Sequence, residues 1–143
     1  MDKEKRELKQ IKEDLKIITS NKLNMSQSKL FFMGIIYEII LRKDLFPKNE
    51  DLKGFINNIF IQYFIDKEPF KDYLYDTRTL LGARIQKKIQ TDLDYNKIVE
   101  IVNKIYNILP NEDINNSRKK NYSNYNKELI EWMNFIKQRG TKE

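Results

Sequence analysis

Cysteine and histidine are both missing from the 143-residue sequence. Without cysteine there can be no disulfide, no thiolate zinc site and no thiol nucleophile, a composition that suits a reducing compartment. The absence of histidine removes more. Imidazole is the side chain that titrates near neutral pH, and it is the usual general base, proton shuttle and metal ligand. Ser-His-Asp and Cys-His catalysis therefore cannot be built, nor can imidazole-based zinc or iron sites. Helical ribonucleases that depend on an Arg-to-His motif are excluded by the same fact. Only carboxylate, Mg²⁺ or Lys/Arg/Tyr chemistry remains, and each needs its own constellation.

Glycine is nearly as scarce, with four residues in the chain. Gly34, Gly54, Gly82 and Gly140 stand apart, so neither GxGxxG nor GxxxxGK[ST] can be written and the usual phosphate loops are excluded. Two carboxylate–lysine triplets, Asp14-Leu15-Lys16 and Asp51-Leu52-Lys53, have the composition of a metal-dependent nuclease core. That core needs its triplet on a strand, whereas both of these fall in helical patterns and read as solvated helix faces. The expectation is a protein that is not an enzyme and holds no metal or cofactor. Long apolar runs are lacking too. The longest, LFFMGIIYEIIL at residues 30–41, is broken by Glu38, and a membrane span needs about 20 apolar residues. Residues 2–16 are charged, without the apolar stretch of a signal peptide, so the expected location is the cytoplasm.

Helical periodicity is present almost throughout. Leu8, Ile11, Leu15 and Ile18 make a narrow apolar stripe on a charged helix over about 2–19. Asn24, with Gln27 three residues on, forms a capping-box signature for a helix over about 25–43. That helix is apolar nearly all round, as suits one at the centre of a domain. Asn49 is placed to cap a helix over about 50–65. Pro69 opens the next, over about 69–89, with Phe70, Tyr73, Leu74, Thr77, Leu80, Leu81 and Ile85 on one side and a kink or break near Gly82. Asp92 or Asp94 starts a fifth helix, which ends ahead of Pro110. Residues 111–126 are polar and asparagine-rich, reading as a loop or linker. A last helix over about 127–139 carries Trp132 as a core anchor and stops at Gly140. The expected fold is all-α, a single domain across residues 1–143: a compact bundle of about six helices around the central apolar one.

The formal charge is +6, from 27 Lys and Arg against 21 Asp and Glu. A positive balance favours polyanionic partners through attraction and counterion release. Lysine outnumbers arginine 21 to 6, however, and phosphate and base readers favour arginine for its bidentate fork. Two stretches concentrate the signal. In residues 73–88, Arg78 and Arg84 flank the edges of an apolar helical face, with Lys87 and Lys88 nearby and Tyr75 as a stacking surface. These groups either grip phosphates or an acidic partner, or their stems cover core edges while the heads pair with Asp72 or Asp76. Arg118, Lys119 and Lys120, followed by Tyr122 and Tyr125, interleave charge with rings as single-stranded nucleic acid requires. The same residues also suit a solvated linker. The helices at 50–65 and 69–89, joined at 66–68, are compatible with a helix-turn-helix.

Two functional classes follow. One is a small, basic, non-enzymatic protein associated with DNA or RNA, acting as a regulator or as a helical subunit of a nucleoprotein complex. The other is a protein-binding inhibitor, immunity or antitoxin-type module of a bacterial or phage mobile element, gripping a partner's acids through Arg78 and Arg84. No membrane partner is expected, and the sequence does not set an oligomeric state.

Overall fold

The computed structural model describes residues 6–111 and 122–137, with side chains in the last helix from residue 127 onward. Among these residues there are six α-helices, two short 3₁₀ segments and no strand. The first helix, α1 (Leu8–Ile18), buries the four residues of the expected stripe and also Lys12. At its foot Lys12 Nζ donates to Leu109 O (3.1 Å) and to Asn111 Oδ1 (2.7 Å). Asn111 in turn donates to both oxygens of Glu128 on the last helix. A buried ammonium is tolerable only when its donors are engaged, and here that engagement joins three parts of the chain.

The capping box forms as its spacing predicts at α2 (Met25–Leu41). Gln27 N donates to Asn24 Oδ1 at 2.8 Å and Asn24 N to Gln27 Oε1 at 3.1 Å. Phe32, Ile35, Ile36, Ile39 and Ile40 turn inward, and α2 packs on three other helices. Its remaining flank stays open, with Leu30 65% and Leu41 40% exposed.

The next helix is shorter than its apolar pattern suggests. Here α3 (Asp51–Ile59) gives way to a 3₁₀ turn at Ile61–Tyr63, which still returns Phe64 to the core beside Phe60, with ring centroids 6.1 Å apart. Asn49 is not its cap. The side chain of Asn49 donates to Asp76 O and accepts from Arg78 Nε, while Asp51 Oδ2 takes the Lys48 amide.

The largest departure lies in the expected 69–89 helix. Residues 72–76 form a 3₁₀ turn, Thr77 is extended (φ −134°, ψ 115°), and α4 (Arg78–Asp92) then runs through Gly82 without a break. The interruption falls at Thr77, and the residue after it, Arg78, turns inward onto backbone carbonyls described below. The helix-turn-helix reading fails with it, since residues 60–77 separate α3 from α4 and leave no tight turn.

Gly82 serves packing instead. Four contacts join antiparallel α2 and α4 at one register. Arg78 donates to Ile40 O and Arg42 O, Tyr37 lies on Gly82, Gln86 donates to Met33 O, and Lys29 donates to Gln90 O. A Cβ on Gly82 would fall 2.5 Å from Tyr37 Cε1, whereas a Cβ on Gly34 would meet nothing within 4 Å. Alanine relieves about 0.5–1 kcal/mol of glycine's helical cost at either position. Overpacking against a ring costs about 1–3 kcal/mol and outweighs that gain at Gly82. Gly34→Ala should therefore raise the urea midpoint and Gly82→Ala should lower it.

Two helices complete the bundle. In α5 (Tyr95–Ile108), Asp94 Oδ1 accepts the Lys97 amide at 2.9 Å, and Ile98, Ile101, Val102 and Ile105 are buried. The last, α6 (Tyr122–Lys137), begins ahead of its expected start, within the stretch read as a loop. It packs on α3 through Trp132, which is fully buried. The indole ring lies 5.5 Å from Phe46 and 6.1 Å from Phe55, and its Nε1 donates to Leu45 O at 2.7 Å.

Candidate nucleic-acid interface

The residues singled out between 73 and 88 divide into two groups. Arg78 belongs to the interior, at 8% exposure. Its guanidinium donates to Ile40 O (3.2 Å), Arg42 O (3.3 Å), Phe46 O and Asn49 Oδ1 (2.7 Å). It thus serves Ile40 O, at the end of α2 where a helix leaves its last carbonyls without intrahelical donors, and the loop carbonyls of Phe46 and Arg42, the latter also accepting from the Phe46 amide. Burial lowers its pKa, and nearby Asp51 partly offsets the shift. Four of its five N–H donors are thus engaged inside the protein.

Tyr75 is also buried, at 4% exposure. Lys53 Nζ sits 5.8 Å from its ring centroid, and its hydroxyl has no partner among the described residues. Burial first, and Asp72 second, push that hydroxyl's pKa well above the usual range. The exposed ring of this segment is Tyr73, 54% accessible. The break at Thr77 shifts the phase of the upstream turn, so a helical period carried back from α4 assigns the two tyrosines to the wrong sides.

Arg84, Lys87 and Lys88 do come together. With Thr91 they occupy one face of α4, at the three- and four-residue spacing of a helix. This face is one wall of a cleft of about 520 Å³, and Asp66, Glu68, Pro69, Phe70, Lys71, Tyr73 and Leu74 line the rest. Its charge is mixed but positive, with Lys71, Arg84, Lys87 and Lys88 facing Asp66 and Glu68. Sequence reading misses Lys71 and the role of Tyr73. The one available signal, Pro69 beside a run of alternating charge and rings, also fits the start of a helix.

The cations differ in state. Lys88 Nζ bridges Asp66 (2.9 Å) and Asp92 (3.6 Å). The hydrogen bond that Lys88 donates to Asp66, with the charge of both acids, raises the pKa of Lys88. Asp66 is held below the usual carboxylate range by the Glu68 amide and then by Lys88. Burial pushes Asp92 upward, but Thr91 Oγ1, the Ile65 amide and Lys88 outweigh it and bring the carboxyl down. Lys88–Asp66 thus joins the start of the 66–74 wall to α4, the Ile65 amide on Asp92 holds the residue before it, and Phe70 packs the wall on Phe64, centroids 6.0 Å apart. Arg84, Lys87 and Lys71 have no ion-pair partner among the described residues.

Arg118, Lys119 and Lys120 lie outside the described residues, as do the side chains of Tyr122 and Tyr125. Among the described residues, no cluster of three acids could hold a metal ion and no helix is long and apolar enough to cross a membrane. No family model, curated protein or solved structure matches the chain.

Proposed function

We propose that the protein associates with nucleic acid, DNA or RNA, through the cleft between α4 and the 66–74 segment. It would act as a small regulator or a helical subunit of a nucleoprotein complex. The observation that carries this reading is the convergence of three unpaired cations, Lys71, Arg84 and Lys87, on one cleft beside exposed Tyr73. A cation already bridged to acids has little charge left to offer a phosphate. An unpaired one is neutralised by mobile ions, whose release favours polyanion binding.

The test is fluorescence anisotropy with generic oligonucleotides across a salt series. Three phosphate contacts on a single strand give a slope of log K against log salt of about −2, at roughly −0.7 per contact. A flat series, or no binding at low salt, would overturn the reading.

A second reading rests on a different observation. The open flank of α2 exposes Leu30 and Leu41, and Leu80 at the start of α4 is 38% exposed. A flank of this kind favours the protein-binding class, an inhibitor, immunity or antitoxin-type module. It is the reading that a flat salt series would leave standing.

A further inference from the structure

Resting on the nucleic-acid reading above, we infer that the cleft takes a single strand, with one unpaired base stacked on Tyr73 and the flanking phosphates on Arg84 and Lys87. Duplex readers present a convex element, usually a helix, that enters a major groove about 12 Å wide. The charged face of α4 is not convex. The 66–74 segment stands against it, joined at Asp66 by the Lys88 bridge and entered from Ile65, whose amide donates to Asp92, so the face forms one wall of a recess.

A recess suits an extended strand, whose bases can leave the stack and enter one at a time. The volume of about 520 Å³ lies within the range that holds a small organic ligand, which a nucleotide unit is. Tyr73 shares the 66–74 wall with Lys71, while Arg84 and Lys87 line the α4 wall, an arrangement in which a base can stack while the backbone follows the α4 charge. The chemistry recognised is a phosphodiester beside an unpaired base, common to DNA and RNA. Fastening the wall before binding reduces the ordering that the strand must bring about.

The experiment compares single-stranded DNA, single-stranded RNA, an abasic DNA strand and duplex DNA, each about twelve nucleotides long, the length that single-strand sites commonly span. Wild type, Tyr73→Ala and Tyr73→Trp are measured at one salt concentration. The single strands should bind at least tenfold tighter than the duplex. Tyr73→Ala should lose about tenfold on base-bearing strands and almost nothing on the abasic one, and Tyr73→Trp should retain the affinity. Equal affinity for duplex and single strand would overturn this inference while leaving the basic cleft in place, as would a Tyr73→Ala variant that binds like wild type. Absence of binding to all four probes at low salt would overturn the nucleic-acid reading itself, and this inference with it.

Discussion

Arg78→Met should lower the unfolding free energy by about 3–5 kcal/mol, the usual cost of removing one partner from a buried, charge-assisted network. The side chain is 8% exposed, and its guanidinium serves three main-chain carbonyls and Asn49. Methionine fills much of the same volume without a donor, so Ile40 O and Phe46 O would be left facing an apolar side chain, and Arg42 O would keep only the Phe46 amide. Each lost bond to a charged donor is worth about 1.5–3 kcal/mol before relaxation or water entry. Against a total stability of about 5–15 kcal/mol, such a loss is severe. Lysine would not rescue it, since one ammonium cannot reproduce the planar fork that reaches carbonyls in three directions. Arg84→Met, on an exposed position of the same helix, should stay within about 0.5 kcal/mol. Urea denaturation of the three variants decides the matter, with an unchanged m-value as evidence that only stability has moved. If Arg78→Met unfolds at the wild-type midpoint, the guanidinium is not serving those carbonyls.

Arg78 also marks where sequence reasoning loses its grip. Helices α1, α2 and α5 are legible because their apolar period and their caps agree. Asn24 with Gln27, and Asp94 ahead of Lys97, announce starts that the structure reproduces. In such segments the local signal and the tertiary demand coincide. Between Pro69 and Ile89 they do not. The apolar residues continue at helical spacing on both sides of Thr77, and the one local signal, a threonine of N-cap type, is outweighed by that unbroken period. What the opened turn serves is distant: with α4 starting at Arg78, its guanidinium reaches the carbonyls of residues 40, 42 and 46. Gly82, which resembles a breaker on paper, is instead where the ring of Tyr37 requires the absence of a Cβ.

The candidate site follows the same division. Arg84, Lys87 and Lys88 share a face by helical geometry alone, so their clustering can be read from spacing. Which of them is engaged can be read only in part: Asp92 lies one helical turn from Lys88, but Asp66 lies 22 residues away and only the fold brings it there. Lys71 and Tyr73 reach the cleft through the 3₁₀ turn at 72–76. A period-3.6 reading cannot place that turn. Tyr75 and Arg78, prominent in the same stretch, go inward for this reason.

Replacing Arg84 and Lys87 together by glutamine should then weaken single-strand binding by on the order of a hundredfold or more. Two charge-assisted contacts at about 1.5 kcal/mol or more apiece amount to at least about 3 kcal/mol, and roughly 1.4 kcal/mol is a factor of ten. The salt dependence should flatten in parallel, by about 1.4 in the slope at roughly 0.7 for each phosphate no longer neutralised. Both side chains are exposed and carry no ion pair among the described residues, so the thermal midpoint should hardly move, and weaker binding could not be ascribed to unfolding. Lys88→Gln should behave differently. Its charge is engaged by Asp66 and Asp92, so its loss loosens the 66–74 wall at Asp66 and leaves both acids without their cation beside the strand, lowering affinity through the wall's position as well as through charge. The same slope, measured after Lys119 and Lys120 are replaced by glutamine, apportions the binding between the two basic stretches. If the double variant at 84 and 87 keeps the wild-type slope while the 119/120 variant flattens it, the phosphate contacts belong to the 118–120 run and the cleft is not the nucleic-acid site.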